Sequence, residues 1–146
     1  MAGVFMNEHE QQDFLAGKHI GVLAVQRTQG PPLAVPVWYG YEPGGDVVLW
    51  TYGEQTAKGR MIRKAGAFTL VVQNEDMPYR YVSVSGPITW EDATVEAAVP
   101  VVARYLPEER AKEFVAEFNP GHVIIRMTPE RWRGVDYSKT ANVLTE

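Results

Sequence analysis

Apolar and polar positions change period several times along the chain, and each change marks an element. Residues 19–27 (HIGVLAVQR), 33–42 (LAVPVWYGYE), 46–53 (DVVLWTYG) and 68–73 (FTLVVQ) are short, apolar runs rich in β-branched or aromatic side chains. They predict four strands. In residues 79–90 (YRYVSVSGPITW) Val82 and Val84 alternate with Tyr81, Ser83 and Ser85, the period of a half-buried fifth strand. Residues 122–137 (HVIIRMTPERWRGVDY) supply a sixth strand and a tail. Gly30-Pro31-Pro32 and Pro43-Gly44-Gly45-Asp46 are turns between the first three strands. Pro36, inside the second, argues for an edge position or a bulge.

Three stretches carry helical patterns instead. In residues 7–17 (NEHEQQDFLAG) Asn7 can act as N-cap with Glu10 three positions on, and Gly17 can end the helix. Residues 56–66 (TAKGRMIRKAG) start on Thr56, a good N-cap, and set Ala57, Met61 and Ala65 at i, i+4 and i+8 beside Ile62, which predicts a core-facing stripe. Residues 94–118 are helical with Pro100 and Pro107 expected to cut them into two or more pieces. Six strands joined mostly by short turns, with peripheral short helices, predict one mainly β (α+β) domain over residues 1–146. A mostly antiparallel barrel that closes its own edges suits this count.

Bulk composition narrows the function classes. A net charge of −4 argues against a general nucleic-acid binder. The absence of cysteine removes disulfides, thiol nucleophiles and cysteine metal sites, and fits a reducing cytoplasm. MAGVFMNEHEQQ lacks the basic and apolar regions of a signal peptide, and no apolar run approaches the ~20 residues of a membrane span. A cytoplasmic protein without membrane contact is expected.

Charge is unevenly spread. Lys58, Arg60, Arg63 and Lys64 fall within seven positions without an acid among them, whereas the rest of the chain carries 10 basic against 18 acidic residues. If Thr56 caps the helix, the backbone N–H groups of Ala57, Lys58 and Gly59 point out of its start and, with the dipole, favour an anion. Lys58 adds a full charge in that first turn. The alternative is a solvated basic surface with Arg60, Arg63 and Lys64 together on one face. Neither GxxxxGK[ST] nor GxGxxG occurs.

The order of a PVW strand, a WTYG strand ending near Thr51, a helix holding AKGR, a strand ending VVQ and then PYRYVSVSG resembles the pyridoxamine 5'-phosphate oxidase-like split β-barrel superfamily. Within it, the pattern is more similar to the flavin/deazaflavin oxidoreductases, in the branch of small F-420-dependent reductases. The resemblance covers about residues 8–137. It implies a six-stranded antiparallel split β-barrel of Greek-key type that forms a homodimer, with two cofactors at the dimer interface. The cofactor would be the deazaflavin coenzyme F-420, or FMN as the alternative.

Carried onto this chain, the resemblance implies that Lys58 is the first phosphate ligand, with Arg60 and Thr56 next. Thr51 would approach the ring or phosphate chain. Pro36, Val37 and Trp38 would lie along the ring, and Gln73 near the cofactor. Met77, Pro78, Tyr79, Arg80 and Tyr81 would reach toward the partner's site or the substrate, and Arg131 to Tyr137 would lie near the same interface. Two departures stand out. The family helix often ends in a run like NLRRDPR where this chain has MIRKAGA, and the late Arg-x-His pattern of vitamin B6 oxidation is absent.

No catalytic set or metal-ligand spacing is visible, as expected where a cofactor carries the chemistry. His9, His19 and His122 are scattered singly and read as capping, surface or core residues, and Ser83 and Ser85 as one sheet face. Glu91 and Asp92 read as acids at a helix start. Trp38, Tyr39, Tyr41, Trp50 and Tyr52 read as barrel core and interface, or as walls of a planar cofactor. Strand alternation puts Trp50 and Tyr52 opposite Thr51, and Thr51 is expected on the cofactor side. The activity expected is hydride transfer from reduced F-420 to a small conjugated organic substrate. The rivals are an FMN flavoprotein, a non-enzymatic flavin, haem or tetrapyrrole binder, and a barrel used only for dimerisation.

Overall fold

A computed structural model describes residues 2–140. In chain order the elements are α1 (Glu8–Ala16), β1 (Gly21–Val25), β2 (Leu33–Val37), β3 (Val47–Tyr52), α2 (Ala57–Ala65), β4 (Ala67–Gln73), β5 (Arg80–Asp92), α3 (Val95–Val102), α4 (Glu108–Phe118), β6 (His122–Met127) and β7 (Arg131–Asp136). Every strand pairing is antiparallel.

β5 organises the fold because it belongs to two sheets. Its first half pairs with β4 on one side and β7 on the other, while Ile88–Asp92 pairs with β6. The change of partner falls at Gly86-Pro87. A Cβ at Gly86 would collide with the Thr128 carbonyl, so only glycine lets the loop after β6 cross β5 there. The strand path β2-β1-β4-β5-β6-β3 then curls round on itself. Gly40 and Val48 exchange two hydrogen bonds of 2.8 Å, which bring the segment after β2 against β3. The result is the expected split barrel with peripheral helices. Inward-facing residues of both sheets, among them Leu23, Leu49, Leu70, Val82, Val84, Ile125 and Met127, form one apolar core.

The helices close the open parts. α1 carries a complete capping box: the Asn7 side chain accepts the Glu10 N–H and the Glu10 carboxylate accepts the Asn7 N–H, both at 2.8 Å. α3 and α4 pack on each other through Ala98, Val102, Ala111 and Val115, with Trp38, Trp50 and Phe114 against them. The Tyr105 hydroxyl, between these helices, donates to the His19 carbonyl at 2.8 Å and accepts the Tyr39 N–H at 3.2 Å, tying the pair to β1 and β2.

Four expectations need correction. The tail after β6 is itself a strand, β7, whose Trp132 and Gly134 alternate onto the inward face opposite Val84 and Val82 of β5. Pro100 lies inside α3 and does not cut it: it is exposed, so the Glu96 carbonyl it leaves unbonded faces water. The break falls at Pro107, which caps α4. Glu91 and Asp92 end β5 and do not start a helix, and Glu91 accepts from Arg126 Nε at 3.0 Å. The core face of α2 runs through Gly59 and Ile62, with Ala57 and Ala65 exposed, because Gly59 is drawn against Gly53.

Candidate active site

Continuing the register of the Gly40–Val48 bridge would set Trp38 opposite Trp50 and Val37 opposite Thr51. The strands part instead. A cleft of about 440 Å³ opens between them, lined by Ile20, Pro36, Val37, Trp38, Leu49, Trp50, Thr51, Lys58, Phe114 and His122. Because it opens between two parted strand edges, neighbours from both faces of β3 reach it. Thr51 (8% exposed) and Trp50 therefore line the same cleft, and alternation does not divide them.

Lys58 reaches the cleft because of how α2 starts. Thr56 Oγ1 accepts the Gly59 N–H at 3.1 Å and donates to the Gly53 carbonyl at 2.9 Å. The N–H of Gly59 is thus spent on the cap, while those of Ala57 and Lys58 have no acceptor within the helix. Drawing Gly59 inward turns Lys58 inward beside it. Lys58 is half-buried, and among the described residues no carboxylate lies within ion-pair distance. Burial holds its ammonium below the usual lysine range.

Aromatic rings form the walls. Trp38 stacks on Tyr105 at 4.7 Å with planes 6° apart. Trp50 meets Phe114 edge-on at 5.9 Å and donates from Nε1 to Asn119 Oδ1 at 3.0 Å. His122 stacks on Trp50 at 3.9 Å, 20° from parallel, and Tyr52 leans on it at 4.1 Å. Burial, and then the charge of Lys58, hold the His122 imidazole below its usual range, while a hydrogen bond to the Phe118 backbone works the other way. The cleft thus offers flat apolar surfaces with a cation, a hydroxyl and an imidazole.

Of the residues singled out in the sequence, Pro36, Val37, Trp38, Thr51 and Lys58 meet in this cleft. Thr56, Ala57 and Gly59 build the helix start at its edge. Arg60 faces away: its Nη1 donates to the Glu54 carbonyl at 3.1 Å, and it lines a separate recess with Arg27 and Lys64. Arg63 pairs with Glu54 at 3.8 Å and lies over the Trp90 ring, so the basic residues of α2 are divided among different surroundings. Gln73 is exposed at the end of β4, opposite Tyr81.

Met77 to Tyr81 do not line their own chain's cleft. Met77 and Tyr79 are exposed, Arg80 lies over the Phe14 ring, and the Tyr81 hydroxyl accepts from Arg133 Nε at 3.0 Å. Ile20, Leu49, Phe114 and His122 join the cleft without having been singled out for it, and Trp50 joins it although alternation had set it opposite Thr51. For His122 the missing information was its register opposite Tyr52, a pairing across nearly half of the chain. Among the described residues no three His, Asp or Glu lie together as a metal site, and no described helix is long and apolar enough to cross a membrane.

Solved structures share this architecture. A conserved hypothetical protein from Mycobacterium tuberculosis superposes with a TM-score of 0.81 at 24% identity, over 95% of this chain and 90% of that one. An F-420 reductase does so at 0.62 and 24% identity, over 83% of this chain and 94% of that one. A FAD-binding protein from Mesorhizobium loti gives 0.64 at 17% identity, over 89% and 94%. These identities speak to fold alone. The family model described as pyridoxamine 5'-phosphate oxidase matches residues 8–136, from the first residue of α1 to the last of β7. With β5 shared between two curled sheets and the match spanning nearly all of the chain, this protein belongs to the pyridoxamine 5'-phosphate oxidase family of split β-barrels.

Proposed function

We propose that this protein is an oxidoreductase that binds a phosphate-bearing tricyclic cofactor in the cleft between β2 and β3, coenzyme F-420 in first place and FMN as the alternative. The observation that carries the reading is the cleft itself: half-buried Lys58 at one helix start, without a carboxylate partner among the described residues, facing aromatic and aliphatic walls. Lys58 and the N–H groups of Ala57 and Lys58 suit a phosphate. Pro36, Val37, Trp38, Trp50 and Phe114 suit the faces and edges of a flat ring. Thr51 supplies a hydroxyl where β3 ends. Such a cofactor supplies hydride transfer when bound. The chain's own part is to hold and orient it, and to keep water from the apolar walls.

F-420 comes first because the order of motifs resembles the deazaflavin branch and an F-420 reductase is among the similar folds. The substrate would be a small conjugated organic compound lying over the exposed ring face, in a cytoplasmic setting. A homodimer completes the reading. On the outer face of the larger sheet, Pro36, Val22, Val71, Ser83 and Arg133 form one cross-strand row, and Ala34, Ala24, Thr69, Ser85 and Arg131 the next. Apart from Arg131 and Arg133 these side chains are small, and such a face suits a second copy. Met77 to Tyr81 and Gln73 would then serve the partner's cleft.

The test is a parallel titration of apo-protein with F-420 and FMN, read by ligand fluorescence. Tight F-420 binding followed by turnover with a reducible substrate is expected. Preference for FMN would make the protein a flavoprotein, stoichiometric binding without turnover would make it a carrier, and binding of neither would end the reading.

A further inference from the structure

We propose that His122 is a ligand-contacting residue of this cleft, and that it takes up a proton from solvent when an anionic group settles beside Lys58. The inference rests on the reading above only in treating the cleft as the site of a phosphate-bearing ligand.

Three observations carry it. His122 is held as a clamped plane: it stacks on Trp50 at 3.9 Å, Tyr52 leans on it from β3, and Trp50 is itself fixed by Asn119. His122 is only partly buried: its Nδ1 is enclosed by the protein, so a ligand in the cleft meets the rest of the side chain. Finally, it lines the same cleft as Lys58 and feels that ammonium's charge.

The groups facing His122 fix the sign. Lys58 comes from α2, Tyr52 and uncharged Trp50 from β3, and the Phe118 backbone and Asn119 from the end of α4. Of these, Lys58 is the charge that acts on the ring, and it disfavours the imidazolium. A dianion against Lys58 cancels that repulsion and adds an attraction of its own. The ring then gains a proton and donates to the anion, so one proton enters with one dianion. Binding linked to proton uptake tightens as pH falls, between the proton affinity of the free ring and that of the occupied one. A histidine in a merely structural stack has no such response.

Inorganic sulfate is the probe, because its charge is constant across this range. Ring resonances of the three histidines are followed by NMR from pH 8 to pH 5 with and without saturating sulfate, and His122 is assigned by its loss in His122→Gln. The His122 midpoint is expected to rise with sulfate. By calorimetry, sulfate affinity should strengthen toward low pH, by up to about tenfold per pH unit for a whole proton. The slope should flatten in His122→Gln. An unmoved midpoint, an equal slope in the variant, or no sulfate binding at all overturns the proposal. The NMR arm uses the unmodified protein, so misfolding of the variant cannot rescue it. If neither F-420 nor FMN binds yet sulfate shifts His122, the cofactor reading fails and this one stands. If cofactor binds with the same pH profile in both proteins, the reverse holds.

Discussion

Gly59 of α2 is pressed against the carbonyl of Gly53, the residue that follows β3, so closely that a Cβ at position 59 would overlap the oxygen. This contact sets the rotation of α2 about its axis. It turns Lys58 and Ile62 inward and leaves Ala57 and Ala65 to solvent. Gly59→Ala must lift the helix start from β3. Overpacking of this kind costs about 1–3 kcal/mol, and the urea midpoint should fall accordingly. Cofactor affinity should fall with it, because Lys58 moves. An unchanged midpoint would mean that the helix position is set elsewhere.

Lys58→Met separates binding from stability. A buried cation with a lowered proton affinity destabilises the native state throughout the pH range where it is charged, and stability recovers only as pH rises toward the usual lysine value. At pH 7 the variant should therefore melt at the same temperature or higher. Charge-assisted contacts to phosphate are worth roughly 1.5–3 kcal/mol, so affinity for the cofactor should drop on the order of tenfold or more. A lower melting temperature would mean that Lys58 serves the fold.

His19 predicts a pH dependence of stability. Its ring lies 2.9 Å from the Phe14 carbonyl, and burial holds it below the usual histidine range, helped by Arg104 and Arg80 and opposed by that carbonyl. The unfolded chain therefore binds the proton first as pH falls below about 6.5. Stability should be full above that value and decline toward the lower folded value. In urea titrations between pH 7.5 and pH 5, His19→Asn should show a shallower decline than the parent. An identical slope would remove His19 from the acid response.

Val22→Glu tests the outer sheet face. Val22 is 40% exposed and flanked in register by Pro36 and Val71. Sedimentation should find a dimer for the parent and a folded monomer for the variant, since a carboxylate facing its own copy across a two-fold contact is repelled and desolvated. A monomeric parent would discard the dimer.

Local signals were the legible ones. Asn7 and Glu10 announced α1 through their capping box, Thr56 announced the start of α2, and the alternation around Val82 and Val84 announced β5. The meeting of Pro36, Val37, Trp38 and Lys58 came through resemblance in the order of motifs, because nothing local says that β2 and β3 part beyond Gly40. Phe114 and His122 were not legible. Their places depend on how α4 docks and on the pairing of β3 with β6, both set by contacts between distant residues. The rotation of α2 was misread because apolar periodicity favoured Ala57, Met61 and Ala65, whereas a backbone contact at a glycine decided it.

β3 lies next to β1 and β2 in the chain, yet its ladder partner is β6, which starts only at residue 122. During synthesis the run VVLWTY must therefore wait, unpaired and apolar, until nearly the whole domain has left the ribosome. β5 likewise cannot complete either of its two sheets before β6 and β7 emerge. Such late, long-range closure makes folding slow and the nascent chain adhesive. A protein truncated before residue 122 should therefore aggregate and leave no soluble half-barrel.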